Sequence, residues 1–180
     1  MKDKIQYCTK CVMPSSAAIP VEFDDNGVCS GCNVSNQKVD IDWDRRKKQL
    51  QRLLDQYKNQ DNANYDCIIP VSGGKDSYFQ VHMIKNVFNM NPLLVTYNAN
   101  NWTKTGYENL HNMRDAFGCD HIFFTPSINL LKRMNRIGFK LMGDMNWQGH
   151  SGIFTYPFIA AVEKKIPLVI YGEHGFMDIG

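Results

Sequence analysis

No apolar run in these 180 residues reaches the ~18 consecutive positions that a membrane-spanning helix needs. The start, Met1-Lys2-Asp3-Lys4-Ile5-Gln6-Tyr7-Cys8, lacks the apolar core of a secretory signal. The expected compartment is therefore the cytosol, with no membrane partner. Strong charge of either sign is also missing. A net charge of +2 decides nothing by itself about nucleic acid. The basic run Arg45, Arg46, Lys47, Lys48, Arg52 is local and reads as a solvated helix face. There is no internal repeat and no low-complexity tract. With 43% hydrophobic residues, the chain can bury a core. Its length suits one ordinary domain plus a small satellite.

Cysteine is the first feature that is present with a pattern. Cys8-x-x-Cys11 and Cys29-x-x-Cys32 are two short-spaced pairs, and in a cytosolic chain such pairs mean metal more often than disulfides. Each pair offers two thiolates from one tight turn, and two turns close a tetrahedron. The reading is a structural zinc site with no open position. A module this small has too little core to fold alone, so the metal should supply much of its stability. Cys67 and Cys119 have no partner in sequence and read as small buried apolar residues, with a catalytic thiol at Cys119 as the sharper alternative.

Residues 1–40 read as a zinc-knuckle or ribbon module. Ile19-Pro20-Val21-Glu22-Phe23 leads into Asp24-Asp25-Asn26-Gly27 and Val28, a hairpin signal whose type I′ turn needs positive φ at both central residues. Residues 41–63 read as a connecting helix and linker. The helix, over 42–58, is capped by Asp42, with Trp43, Leu50, Leu53, Leu54 and Tyr57 on one stripe. The polar stretch Asn59 to Asn64 is the linker.

Residues 64–180 then alternate. Strands are expected at Cys67–Val71 (with Pro70 a mild objection), Leu93–Tyr97, His121–Thr125 and Pro167–Tyr171. Helices are expected over 76–90, with Phe79, Met83, Val87 and Met90 on one face; over 103–117, ended by Gly118; from Ser127 to about Met142; and over 151–165, apolar almost all round, a core helix with Ser151 as cap. This alternation gives an α/β fold, a parallel sheet with helices on both faces. No closing helix follows Gly172-Glu173-His174-Gly175-Phe176-Met177-Asp178-Ile179-Gly180, so an incomplete α/β domain is expected.

Ser72-Gly73-Gly74-Lys75-Asp76-Ser77 lies where the first of these strands runs into a helix. Free N–H groups and the helix dipole meet an anion there. Gly73 and Gly74 let the backbone approach phosphate oxygens. Ser72 and Ser77 add hydroxyl donors and Lys75 adds charge. Asp76 suits Mg²⁺ or a helix cap. The loop is not a Walker A sequence, because Ile69 stands at the first glycine position and Asp76 follows the lysine. It reads as a cradle for a nucleotide pyrophosphate.

In that setting SGGKDS resembles the PP-motif of the ATP pyrophosphatase superfamily, with its HUP-type fold. Tyr7-Cys8-Thr9-Lys10-Cys11-Val12-Met13-Pro14, Phe23-Asp24-Asp25-Asn26-Gly27-Val28-Cys29-Ser30-Gly31-Cys32 and PVSGGKDS together resemble the N-acetyl sugar amidotransferase family. Those enzymes build acetamidino groups on bacterial surface sugars, as in O-antigen, pseudaminic or legionaminic acid pathways. The resemblance implies ATP as cosubstrate with Mg²⁺, an N-acetylated sugar as substrate, and ammonia from a separate glutaminase. It implies adenylation of the amide oxygen and release of AMP and pyrophosphate. Lys75 and Asp76 would be catalytic. Nucleotide contacts fall to Ser72 through Ser77, Tyr97 and Asn98 near adenine, and Gly172. Ligands of open parallel sheets sit beyond the C-terminal strand ends, so Asn100, Thr125, Glu173 and His174 also lie at this edge. Glu173, His174 and His150 are candidate substrate contacts. No glutaminase pattern is built in this chain. A tRNA-thiolating ATP pyrophosphatase is the alternative, disfavoured by near-neutral charge, and no nucleic-acid partner is expected. A non-catalytic nucleotide- and zinc-binding module is a third.

Overall fold

A computed structural model describes residues 4–17, 21–59, 64–99 and 102–172. The expected hairpin arm at Ile19 and Pro20, linker positions 60–63, Asn100, Glu173 and His174 lie outside the described residues. The chain divides into two compact units, one built on Met1–Lys48 and the other on Gln49–Gly172.

In the first unit, isolated antiparallel bridges Tyr7↔Pro14 and Phe23↔Cys29 bracket the cysteine turns. The turn at Asn26-Gly27 differs from the expected type I′. Gly27 has φ 73° while Asn26 is not among the positive-φ residues, and the Gly27 N–H donates to the Asp24 carbonyl at 2.9 Å. This is an ordinary turn followed by a left-handed glycine. The Asp24 carboxylate explains the choice. It accepts from the N–H groups of Asn26 and Val28, both at 2.9 Å, and from Asn33 Nδ2 at 3.0 Å. These donors, Val28 foremost, hold its acid below the ordinary value.

Helix α1, Ser30–Gln37, follows and buries no side chain. No apolar period announces it in the sequence. Helix α2, Trp43–Asp55, begins where expected, with Asp42 Oδ1 accepting from the Arg45 N–H at 2.9 Å. Its stripe is largely solvent-facing, contrary to expectation. Trp43, Leu50 and Leu53 are exposed, and only Leu54 is buried. Just the C-terminal end, with Tyr57, reaches the core of the second unit.

That unit is a parallel sheet of β1, Cys67–Pro70, β2, Pro92–Tyr97, and β3, Asp120–Phe124, in the order β1-β2-β3. The expected fourth strand appears as one parallel bridge, Ile68↔Val169, on the other side of β1. Both faces are covered, as expected. Cys67, Ile69, Val71 and Leu94 face α3, Lys75–His82, and α4, Lys104–Phe117. Ile68, Leu93 and Val95 face Ala160 and Ala161 of α6, Trp147–Lys164. Helix α5, Ile128–Met142, packs on α6. Ser127 caps α5 and Gly118 ends α4 in a left-handed turn.

Two further expectations are corrected. Helix α3 gives way to a wide π turn, Met83–Val87, and its buried positions are Ser77, Val81, Ile84 and Phe88. Phe79 is exposed. The buried positions keep ordinary helical spacing through the π turn, and of the expected face Met90 is buried and Met83 packs against the core. Helix α6 starts at Trp147, with Asn146 as N-cap, so His150 and Ser151 are helical and Ser151 caps nothing. Nor is α6 fully buried. It rests on the sheet through small residues, while Phe154, Phe158, Ile159 and Val162 face outward.

Two prolines are compensated locally. Pro157 lies inside α6 and cannot donate to the Ile153 carbonyl. The Tyr171 hydroxyl lies 3.5 Å from that oxygen and 3.1 Å from the Phe154 carbonyl. Pro70 ends β1. The ladder beside it runs from the Ile68 N–H to the Leu168 carbonyl and from the Ile170 N–H to the Ile68 carbonyl. The next donor would be Pro70. In its place Gln80 Nε2 donates to the Ile170 carbonyl at 2.7 Å.

Candidate functional site

The 72–77 loop leaves the C-terminal end of β1, the strand at which the connections diverge. One connection leads to β2 and the other pairing belongs to Val169. Such a switch point opens a crevice in a parallel sheet. Gly73 has φ 76°, and a β-carbon there would meet the Leu110 backbone N at 3.1 Å. A side chain is thus excluded by conformation and by space. The Ser72 N–H donates to Ser77 Oγ at 3.0 Å, and the two hydroxyls lie 3.2 Å apart. This closes the loop over the first turn of α3. Gly74 is the N-cap and receives no side-chain cap bond, so the first-turn N–H groups point outward. Lys75 Nζ lies 2.7 Å from Asp76 Oδ1, their side chains 88% and 80% exposed. Neither charge is committed to the core, and both stand at the loop's open side.

A support that the sequence does not reveal lies under the loop. The buried Thr96 donates its hydroxyl proton to the Val71 carbonyl at 2.6 Å. Thr96 Oγ also lies 2.9 Å from His121 Nε2. With its own proton spent, Oγ accepts, so neutral His121 carries its proton on Nε2. Burial, aided by His111 and Arg114, brings the His121 pKa down to about 4. The pair holds the residue immediately before Ser72. Neither His121 nor Thr96 has a local sequence signature for this.

Tyr97 and Asn98 sit at the end of β2, as placed from sequence, with their side chains engaged. Tyr97 donates to Gln148 Oε1 at 3.2 Å and lies against Gly152, where a β-carbon would stand 2.2 Å from its ring. Burial raises the Tyr97 pKa. Asn98 accepts from Trp102 Nε1 at 2.6 Å and donates to Thr125 Oγ at 3.3 Å. Gly172 lies against Gln80 of α3, where a β-carbon would meet Oε1 at 3.0 Å. His150 is exposed in the first turn of α6, 3.9 Å from Asp144. The loop and Gly172 are therefore joined through α3, whereas His150 belongs to the α6 end.

Cys119 is buried, its thiol pushed up by burial and pointed at the Phe117 carbonyl at 3.7 Å. Cys67 is pushed up to about 12 by burial and by Asp66. A reactive thiol needs the opposite environment.

In the first unit, Cys8, Cys11, Cys29 and Cys32 bring all four Sγ atoms within 4.8 Å of one another. The Cys8–Cys32 and Cys11–Cys29 separations are 4.0 and 3.6 Å. Zinc–sulfur bonds of ~2.3 Å at tetrahedral angles put sulfurs ~3.8 Å apart, so the cluster fits a tetrahedral tetrathiolate ion. Burial pulls the Cys8 thiol up, but the N–H groups of Cys29, Cys11 and Lys10, at 3.3, 3.4 and 3.3 Å, outweigh it. They bring it down to about 6. Cys32 is pushed up to about 12, first by Cys11, then by burial. As thiols the four share protons unequally, and a cation would relieve that competition. Cys29 is the N-cap of α1, which adds the helix dipole to the second pair.

No family model matches the sequence. An uncharacterized protein of Methanocaldococcus jannaschii is 27% identical over 113 residues, 63% of this chain and 40% of the relative. The chain thus spans well under half of that relative. Among solved structures, the ammonia-dependent NAD synthetase of Campylobacter jejuni, in complex with nitrate, aligns with a TM-score of 0.50 at 10% identity. That alignment covers 71% of this chain and 56% of the synthetase. The U34-tRNA thiolase NcsA of Methanococcus maripaludis, with its [4Fe-4S] cluster, aligns at a TM-score of 0.43 and 15% identity, over 93% of this chain and 53% of the thiolase. The likeness to the synthetase establishes the fold that the alternating pattern predicts, a HUP-type parallel sheet with helices on both faces, preceded by a four-cysteine module.

Proposed function

We propose that this chain is the ATP-binding part of an AMP-forming amidotransferase acting on an N-acetylated sugar. The carrying observation is the 72–77 loop at the end of β1. It has a left-handed glycine pressed on Leu110, a closed Ser72–Ser77 contact, and open N–H groups beside Lys75. That arrangement suits a pyrophosphate leaving group, whose growing negative charge would meet fixed donors already in place. Asp76 is the residue to hold Mg²⁺, which would neutralise phosphate charge.

In this reading the amide oxygen of the substrate attacks the α-phosphorus, the bond to the bridging β-oxygen breaks, and pyrophosphate leaves. Ammonia then adds to the activated carbon, the bond to AMP breaks, and a proton is lost to give the amidine. Ammonia comes from a separate glutaminase. Cys8, Cys11, Cys29 and Cys32 hold structural zinc. The buried Cys119 gives no support to sulfur transfer.

The test uses the full-length protein with ATP, ammonium and a panel of N-acetyl sugars, following nucleotide products and sugar mass. Sugar-dependent AMP and pyrophosphate in equal amounts support the reading. ADP as product, or AMP formation indifferent to sugar and ammonia, overturns it. Elemental analysis separates zinc from iron in the same sample.

A further inference from the structure

Helix α5 concentrates charge that the whole-chain balance conceals. It carries Lys132, Arg133, Arg136 and Lys140 and no acid, in a chain with 20 basic and 18 acidic residues. At about 100° per residue, the four cations and Asn129 fall within about 100° of arc, opposite the side where buried Gly138 lies against the Asp144 carbonyl. With Ile137 they line a groove of about 500 Å³. Among the described residues, none of the four is in an ion pair. By contrast, Lys104 faces Glu108 on α4.

Apolar side chains flank this basic strip. Leu130, Ile137 and Leu141 line one margin, Ile128 and Phe139 the other, all exposed. The order matters. A helix lying on a membrane puts apolar residues at its deepest line and cations at the margins; here the cations are central. Duplex nucleic acid offers mainly phosphate on its outside and leaves the apolar margins unused. A single strand offers a line of phosphates with bases free to splay onto aromatic and aliphatic surface. From Lys132 to Lys140 the helix rises ~12 Å, so the four cations form a short row along the helix axis.

We propose that the basic face of α5 is a docking site for single-stranded nucleic acid. Lys132, Arg133, Arg136 and Lys140 meet the phosphates and Phe139 stacks on a base. The site does not depend on what the 72–77 loop binds.

The experiment is fluorescence anisotropy of labelled oligouridylate with the full-length protein, between about 50 and 200 mM salt. Expected are tighter binding to the single strand than to a duplex of equal length, and a slope of log affinity on log salt of about −2 to −3, as three or four neutralised phosphates require. Arg133→Glu with Arg136→Glu should weaken binding at least about tenfold, with unchanged circular dichroism. Phe139→Ala should weaken it roughly 5- to 100-fold. Lys47→Glu with Lys48→Glu, on the basic run of α2, should leave it unchanged. No binding at low salt overturns the proposal. So does loss of binding on the α2 change instead of the α5 change. Competition by polyglutamate as effective as by oligouridylate would assign the groove to an acidic protein segment and overturn it too, as would equal binding to anionic vesicles.

Discussion

Gln80 donates to the Ile170 carbonyl at 2.7 Å, supplying from a helix the bond that Pro70 cannot supply from the sheet. Replacing the amide with an isosteric apolar chain, Gln80→Met, leaves that carbonyl without its donor. The expected loss is about 1–3 kcal/mol of unfolding free energy, read as a lower urea midpoint at unchanged slope. Amide exchange at Ile170 should quicken more than at Leu94, because the damage falls on the Val169 side of β1. Uniform quickening would mean that the bond does not hold this edge.

Val12 adopts φ 60°, a left-handed conformation that is costly for a β-branched residue. Its side chain is 75% exposed, so little packing is lost on removing it. Val12→Gly should raise the stability of the cysteine module by about 0.5–1 kcal/mol, the relief of strain less the greater chain entropy of glycine. Metal release to a chelator should slow. Faster release would show that the strained turn helps to hold the thiolates.

His121 gives a signed pH dependence. Its pKa is lowered by burial to about 4, so between about 6.5 and 4 the unfolded chain binds the proton that the folded ring refuses. The contribution of His121 is full above that window and is lost as pH falls through it, on the order of 2 kcal/mol once its partial exposure is allowed for. His121→Gln keeps a donor for Thr96 and should flatten the stability curve in this range. An unchanged acid slope would place the titrating group elsewhere.

The loop separates charge from shape. Lys75→Ala removes an exposed cation and should leave the melting temperature within a degree or two while weakening ATP and pyrophosphate binding about 10- to 100-fold. Gly73→Ala forces a β-carbon towards Leu110 and should lower stability by about 1–3 kcal/mol as well as affinity. Calorimetry on both variants checks the contrast, and equal melting shifts would refute it.

Much of this fold and its candidate site can be read from local chemistry. The Ser127 cap, the Gly118 stop and the Asp42 cap work within one helical turn, so their residues announce them. The 72–77 loop and the paired cysteines are similarly local. What escapes the sequence is settled at a distance. α1 buries nothing and follows a cysteine N-cap, so no hydrophobic period marks it. The stripe of α2 and the face of α3 look right by spacing, but which residues are covered belongs to neighbouring elements, which bury Ser77 and leave Phe79 outside. The α6 start hides because Gly149 and Gly152, poor helix formers, are required there by Ala99 and Tyr97. Thr96 and His121 meet only through strand pairing.

The bridge from Ile68 to Val169 also sets an order of assembly. β1 can pair with β2 soon after both emerge from the ribosome, but its other edge stays bare until α6 and the segment after it have been made. During that interval a row of unmatched peptide groups, bordered by Ile68 and Ile69, is open to any strand that passes. Pairing this edge is a late, long-range closure, and conditions that slow it should show first as lost soluble yield rather than as a lower melting point.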